Sequence, residues 1–364
     1  MTARIVLLGA TGYTGALVLE SLRARGIKPV LAGRDEAAVA ALAKRHGGLD
    51  SLRVDVTDAA SVAGLVGAGD VLISTVGPFE RYGYAVAEAA AEVGAHYLDS
   101  SGEVGFALTL RQRLDARARA NGSVMVPGFG YDYVPGVLAG TLALEEAGPA
   151  ARSVDIGYFA TGPLWRGLSQ GTRTTMRDGQ TLPSARWRDH RLIEERTASA
   201  THTFTVRGRR RSGFLVSGTE VVHLPEAFPT LANVSVYNGW FPALARAATI
   251  GSAITAATLR IPGGRALVDL ITRPAIGRPG GPDATERSRT RTHVVALASS
   301  ETTQLAEVHL EGPSIYDLTG ELLAWGAQRL ASGTHPATGV VGPIAAFGSE
   351  TLMQGCVDIG LVTV

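Results

Sequence analysis

Over the first 125 positions, apolar residues fall in short continuous runs separated by stretches of helical spacing. The runs are Ile5–Leu8, Val30–Ala32, Leu52–Val54, Val71–Ser74, Tyr97–Leu98 and Val124–Val126, and each reads as a strand covered on both faces. Between them, Gly15, Leu19 and Leu22 share one helical face. Asp35 stands as an N-cap before Val39, Leu42, Ala43 and His46, and further helices are expected near Ser61–Val66, Tyr84–Val93 and Glu103–Ala120. Strands alternating with helices predict an α/β fold with a doubly wound parallel sheet of Rossmann type, which binds ligand at the carboxyl ends of its strands.

After Val126 the period changes. Val154, Ile156 and Tyr158 alternate with Ser153, Asp155 and Gly157, the pattern of a half-buried antiparallel strand. Arg289–Ser299 and Thr303–Glu311 read as a hairpin, with Ala306, Val308 and Leu310 opposite in face to Glu307, His309 and Glu311. The Gly/Pro/Arg stretch RPGGPDATERSRTR before it reads as a mobile loop. The expected organisation is a nucleotide domain over 1–133, an inserted mixed α+β domain over 134–317, and a segment 318–364 that packs back on the first. An edge strand in the inserted sheet must be paired or covered, which suggests a homodimer.

Composition narrows the partners. A formal net charge of +1 gives no whole-protein case for nucleic acid. One cysteine, Cys356, excludes an intrachain disulfide and a thiolate metal cluster, and no metal site is expected. The stretch Trp240–Leu259 carries Arg246 and several small polar residues, so it reads as an amphipathic helix on a core rather than an integral membrane segment; lipid association would require its apolar face to be exposed. With the first strand starting near Met1 and no leader pattern before it, a cytoplasmic location is expected.

The first strand runs into G-x-x-G-x-x-G, with glycines at Gly9, Gly12 and Gly15 and a helix opening at Tyr13. Such a loop lets backbone approach a pyrophosphate at a helix N-terminus. An NAD-selective site places an acid at the end of the second strand; here Gly33 and Arg34 stand there, and a guanidinium pairs with a 2′-phosphate, so NADP(H) is favoured. Asp35 reads better as a helix cap than as a ribose ligand. Asp55 suits an adenine amino group, and Thr75, Val76, Gly77 and Pro78 either pass the nicotinamide half or form only a turn.

The only lysines are Lys28 and Lys44, and the residues four before them are Ala24 and Ala40. The Tyr-x-x-x-Lys pair of short-chain dehydrogenases is therefore absent. What remains is hydride transfer with a proton from Tyr, His, Asp, Glu or water. HYLDSSGE supplies His96, Tyr97, Asp99 and Glu103 at the end of the fifth strand, although Ser100 and Glu103 also fit a capping box and Asp99 also fits a backbone hydrogen bond. GFGYDYVPG supplies Tyr131, Asp132 and Tyr133, as a proton donor or as hinge packing. Asp99, Tyr131 and Asp132 are the catalytic candidates; Phe79, Tyr82, Glu103 and Tyr133 are the substrate candidates beside them. The remaining histidines, His335 among them, show no partner in sequence.

GATGYTG, LAGR, STVGPFERYG, HYLDSSGE, PGFGYDYVP, LSQGTRTTM and AFGSETLM together resemble the saccharopine dehydrogenase-like reductases, nearly end to end. The resemblance implies that Gly9, Thr11, Gly12, Tyr13, Thr14 and Gly15 hold the pyrophosphate and Arg34 the 2′-phosphate. It also implies that Gly171, Thr172 and Arg173 face the substrate cleft. Locally, Thr172 also reads as a helix N-cap, and a dicarboxylic amino-acid substrate would draw on Arg166, Arg173 and Arg177. Members of that family act on C=N or C=C bonds. The expectation is an NADPH-dependent reductase of a polarised C=N or C=C bond in a small-molecule or acyl substrate, a non-catalytic NADPH-binding sensor being the alternative.

Overall fold

The computed structural model describes residues 3–162, 164, 168–179, 182–272 and 280–364. In chain order its strands are β1 (Ile5–Leu8), β2 (Val30–Gly33), β3 (Ser51–Arg53), β4 (Val71–Ser74), β5 (His96–Asp99) and β6 (Val124–Val126). They continue with β7 (Ser153–Thr161), β8 (Pro183–Arg188), β9 (Arg191–Arg196), β10 (Thr201–Val206), β11 (Arg209–Val216) and β12 (Asn233–Asn238). The last four are β13 (Arg291–Ser299), β14 (Gln304–Gly312), β15 (Gly339–Val340) and β16 (Val362–Thr363). Two compact units result: Met1–Val134 with Tyr316–Ile359, and Pro135–Ile315 with Gly360–Val364.

The first unit is built on a seven-stranded parallel sheet, order β15-β6-β5-β4-β1-β2-β3. Helices cover both faces, so β1, β2, β4, β5 and β6 are buried along their whole length. β3 lies at the edge and is exposed throughout. One face of the core is filled by Val6, Leu8, Leu72, Phe79, Val86, Phe106 and Met125. From β1 the chain builds outward through β2 and β3, then returns to β4 on the other side and builds through β5 and β6. That reversal leaves a crevice at the carboxyl ends of β1 and β4, the place where such sheets bind ligands. The seventh strand, β15, comes from the C-terminal part of the chain and pairs with β6.

The second unit holds a mixed sheet, nine-stranded among the described residues. β7, expected from its alternation as a half-buried antiparallel strand, pairs antiparallel with β13 along its length but parallel with β12 on its other side, and this mid-sheet place buries most of it. The hairpin of β13 and β14 carries Ala306, Val308 and Leu310 inward. Two further hairpins, β8–β9 and β10–β11, turn through Asp189–His190 and Arg207–Gly208, all at positive φ, as tight two-residue hairpin turns require. The RPGGPDATERSRTR stretch is not all loop: Asp283 and Glu286 form a reciprocal capping box that starts helix Ala284–Ser288. Residues 360–364, placed with the nucleotide domain by sequence, belong instead to this unit, where β16 pairs with β14.

Candidate functional site

Gly9 follows β1 at φ +86°, and its N–H donates to the Ala32 carbonyl at 2.9 Å. A Cβ on Gly9 would stand 2.5 Å from Thr75 Oγ1 and 3.0 Å from Val76 Cγ2. A Cβ on Gly15 would stand 2.2 Å from the Gly9 carbonyl oxygen. Both glycines are therefore demanded by the packing of the loop on itself and on the end of β4. Gly12 is different. Its φ of −78° suits any residue, it is exposed, and a Cβ there would meet only the Gly9 oxygen at 3.2 Å. Gly12 is the N-cap of helix Tyr13–Ala24 and has no side chain to cap it, and no acid stands in the first turn. The helix thus presents its N-terminal dipole with no acid of its own first turn to offset it, an arrangement that favours a phosphate.

At the end of β2, Asp35 is committed to its own helix: its carboxylate accepts the Ala38 N–H at 3.0 Å. Arg34 is exposed beside it, and Thr11 lies close to Gly33. Asp55 accepts the Thr57 hydroxyl at 2.7 Å and the Thr57 N–H at 3.0 Å. Those bonds hold its carboxyl below the usual range, with Arg34 and Arg53 adding to the effect. The end of β2 thus carries an exposed cation, Arg34, beside an acid, Asp35, already bound to its own helix. The loop after β4 carries Thr75, Val76, Gly77 and Pro78, with Thr75 Oγ1 donating to the Leu8 carbonyl at 3.1 Å. The residues fit an NADP-type dinucleotide at this crevice.

Asp99 ends β5 and is fully buried. Its Oδ1 accepts N–H groups from Ser101 and Gly128, each at 2.8 Å, and its carbonyl accepts from Phe129 at 2.8 Å. On its other side the Tyr97 hydroxyl and Ser74 complete a buried polar group. Burial raises the Asp99 pKa against the lowering effect of those N–H groups, and burial with the Asp99 charge raises that of Tyr97 well above 10.0. Asp99 thereby ties the GFGYDY loop to β5. Tyr133 belongs to the same clamp, its hydroxyl donating to the Gly102 carbonyl at 2.6 Å and its N–H to Gly128 at 2.7 Å. Tyr131 is buried, with its N–H on Thr319 Oγ1 at 3.1 Å. Asp132 stands apart within this loop: its carboxylate accepts no hydrogen bond among the described residues, and burial alone pushes it up to about 7.

Glu103 does not form the capping box with Ser100. Its carboxylate takes the N–H groups of Phe79 at 3.0 Å and Glu80 at 2.6 Å, and so caps the next short helix, Phe79–Tyr82. Burial raises its pKa, with those N–H groups opposing. The Phe79 ring is in the core against Phe106, with centroids 5.6 Å apart, and Tyr82 is half-exposed. His96 lies at the start of β5, not at its carboxyl end; it accepts the Val124 N–H at 3.1 Å and its ring meets that of His335 at 4.9 Å. Sequence gave His335 no partner, since 239 positions separate the two rings.

Gly171, Thr172 and Arg173 lie in the second unit on helix Gln170–Gly179. Ser169, not Thr172, caps that helix: its Oγ accepts the Thr172 N–H at 3.1 Å and lies 3.0 Å from the Thr172 hydroxyl. Arg173 donates to the Leu168 carbonyl. Arg166 lies outside the described residues. Sequence reasoning named Tyr97 but missed Ser74 and Thr319, whose only signal is a polar side chain in an apolar strand or helix.

The saccharopine dehydrogenase NADP binding domain family matches residues 5–126. That span holds β1 to β6, the glycine loop and Arg34. Residues 5–126 belong to that family. The nucleotide unit is accordingly an NADP-binding one. Across the whole chain, saccharopine dehydrogenase (L-Glu forming) from Saccharomyces cerevisiae superposes with a TM-score of 0.64 at 14% identity, covering 100% of this chain and 99% of that one, which shows a shared fold. A lipid droplet localized protein of Caenorhabditis elegans is 30% identical over 185 residues, 47% of this chain and 43% of its own. A trans-acting enoyl reductase of Mycobacterium ulcerans is 31% identical over 137 residues, 36% of this chain and 33% of its own. The chain thus spans less than half the length of these two curated relatives.

Proposed function

We propose that this saccharopine dehydrogenase-like protein is an NADPH-dependent reductase of a polarised C=C or C=N bond. The observation that carries the reading is the helix that opens behind Gly12 with no acid in its first turn, together with the exposed Arg34 at the end of β2. Gly9, Thr11, Gly12, Tyr13, Thr14 and Gly15 would hold the pyrophosphate, Arg34 the 2′-phosphate, Asp55 the adenine edge, and Thr75 to Pro78 the nicotinamide half. Bound there, NADPH supplies the hydride. The chain itself must supply a proton, and Asp132 is the group fitted to do so. Its carboxyl is raised to about 7, so it still carries a proton near neutrality. Asp99, Tyr133 and Glu103 act as positioning residues that hold the Asp132 loop and the turn after β4. The enoyl reductase name carried by the mycobacterial relative supports an acyl substrate.

The alternative is an NADPH-binding sensor without turnover. It is favoured by one observation: Asp99, a catalytic candidate, and Tyr133, a substrate candidate, spend their polar groups on backbone. Loss of NADPH absorbance on adding enoyl-thioester or imine substrates tests the enzyme reading. Tight NADPH binding with no oxidation across both classes selects the sensor. We also propose a cytoplasmic homodimer, paired through the mixed sheet, where β10 ends the main strand order; a monomer at micromolar concentration by light scattering would reject it.

A further inference from the structure

Helices Ala245–Thr258 and Gly264–Thr272 wear their polarity inside out. The first was expected to lay an apolar face on the core. Instead it buries Ala245 and Ser252, and Arg196 donates to the Thr249 carbonyl at 3.0 Å and to the Ser252 hydroxyl. Ile250 and Ile254, one turn apart, are 63% and 62% exposed. The second helix turns Gly264 and Val268 inward and leaves Leu267, Leu270 and Ile271 outside, the last two at 70% and 68%. Leu244 and Ile261 extend the same surface at the helix ends. Seven of the fifteen exposed large hydrophobic side chains among the described residues lie between Leu244 and Ile271, so this is a concentrated patch rather than scattered surface leucines.

We propose that this helix pair docks in the plane of an anionic phospholipid surface. The charges on the pair choose that occupant. Arg246, Arg260 and Arg265 are exposed among the apolar residues, against the single acid Asp269. Apolar side chains entering the acyl boundary with guanidinium groups at phosphate level is the chemistry of an interfacial helix. A second copy fits less well, because a two-fold contact sets the same patch against itself and brings three arginines onto three arginines. No helix among the described residues is long and apolar enough to cross a membrane, so the contact is one of lying on the surface.

Vesicle flotation tests this on the full chain, using phosphatidylcholine vesicles with and without phosphatidylserine. The parent protein is expected to float with the anionic vesicles and to be released by salt. Ile250→Ser/Ile254→Ser/Leu270→Ser and, separately, Arg246→Gln/Arg260→Gln/Arg265→Gln should each reduce the bound fraction by roughly tenfold or more, with melting temperature unchanged. Failure of the parent to float, or equal flotation of parent and both variants, overturns the proposal. If the parent stays in solution and the serine variant halves its mass by light scattering, the patch belongs to a second copy.

Discussion

The carboxylate of Asp99 and the backbone N–H of Gly128 lie 2.8 Å apart, joining the end of β5 to the first turn of the GFGYDY loop. The same oxygen also accepts from Ser101, so one buried atom sets the path of two loops. Asp99→Ala leaves both N–H groups buried without an acceptor and should cost about 2–4 kcal/mol by denaturant unfolding. Asp99→Asn keeps an acceptor oxygen and should cost less than about 1.5 kcal/mol. Equal losses for the two would show that the charge, not the acceptor, matters.

Gly12 and Gly15 separate folding from binding. Gly15→Ala forces a Cβ to 2.2 Å from the Gly9 carbonyl oxygen and should abolish stable folding or cost several kcal/mol, on the order of a severe overpacking. Gly12→Ala meets nothing closer than 3.2 Å and should melt near the parent, yet weaken NADPH by roughly tenfold by obstructing the approach of phosphate. Thermal melts and fluorescence titration read the two effects independently.

Arg34 should set the choice between the two nicotinamide coenzymes. Arg34→Ala removes a charge-assisted bond of about 1.5–3 kcal/mol and should weaken NADPH by roughly ten- to a hundred-fold, with NADH nearly unaffected. Equal losses for both nucleotides, or tighter NADH binding by the parent, would reject that role.

Asp132 gives a pH dependence of definite sign. Its folded pKa is raised to about 7 from 3.8, so the folded chain holds this proton more tightly than the unfolded one. The stability linked to that proton is present below about pH 4 and is lost as pH rises through about 7. Asp132→Asn should therefore melt close to the parent at acid pH and above it in mild alkali. In the enzyme, kcat/KM should fall above about pH 7, and the asparagine variant should lose turnover while keeping NADPH affinity. An unchanged pH profile in that variant would remove Asp132 from the proton path.

What the sequence disclosed follows from how local each constraint is. The parallel sheet was legible because strands buried on both faces must be apolar without interruption, as Ile5–Leu8 and Val71–Ser74 are. β9 was not, since charged residues fall on both of its faces, and β10 and β11 bury only a few side chains each, Phe204 and Val206 in one and Leu215 in the other, among Arg and Thr. β15 is two residues long and carries no pattern at all. In the site, Gly15 announces itself because its clash partner, Gly9, is a neighbour in the chain, whereas Gly9 is demanded by Thr75 and Val76 on the loop after β4 and shows in sequence only through the glycine pattern. For Asp99 a backbone bond was legible as one of two readings, but its partner Gly128, 29 positions away, was not; Glu103, which fitted a local capping box, instead holds Phe79, 24 positions back.

The fastening of Tyr131 to Thr319, 188 positions later, has a consequence for birth on the ribosome. The nucleotide unit takes its seventh strand from β15 and the mixed sheet takes its last from β16, both encoded after residue 338. Translation therefore delivers the whole of Pro135–Ile315 before either sheet can be finished. A nascent chain passes through a long interval with the edge of β6 open and the Tyr131 loop untied, and both sheets gain these strands only once residues 339 to 363 have been made. Coenzyme competence is thus a late event of biogenesis: ribosome-arrested chains ending short of Thr319 should retain NADPH poorly, and those that expose β15 and β16 should retain it.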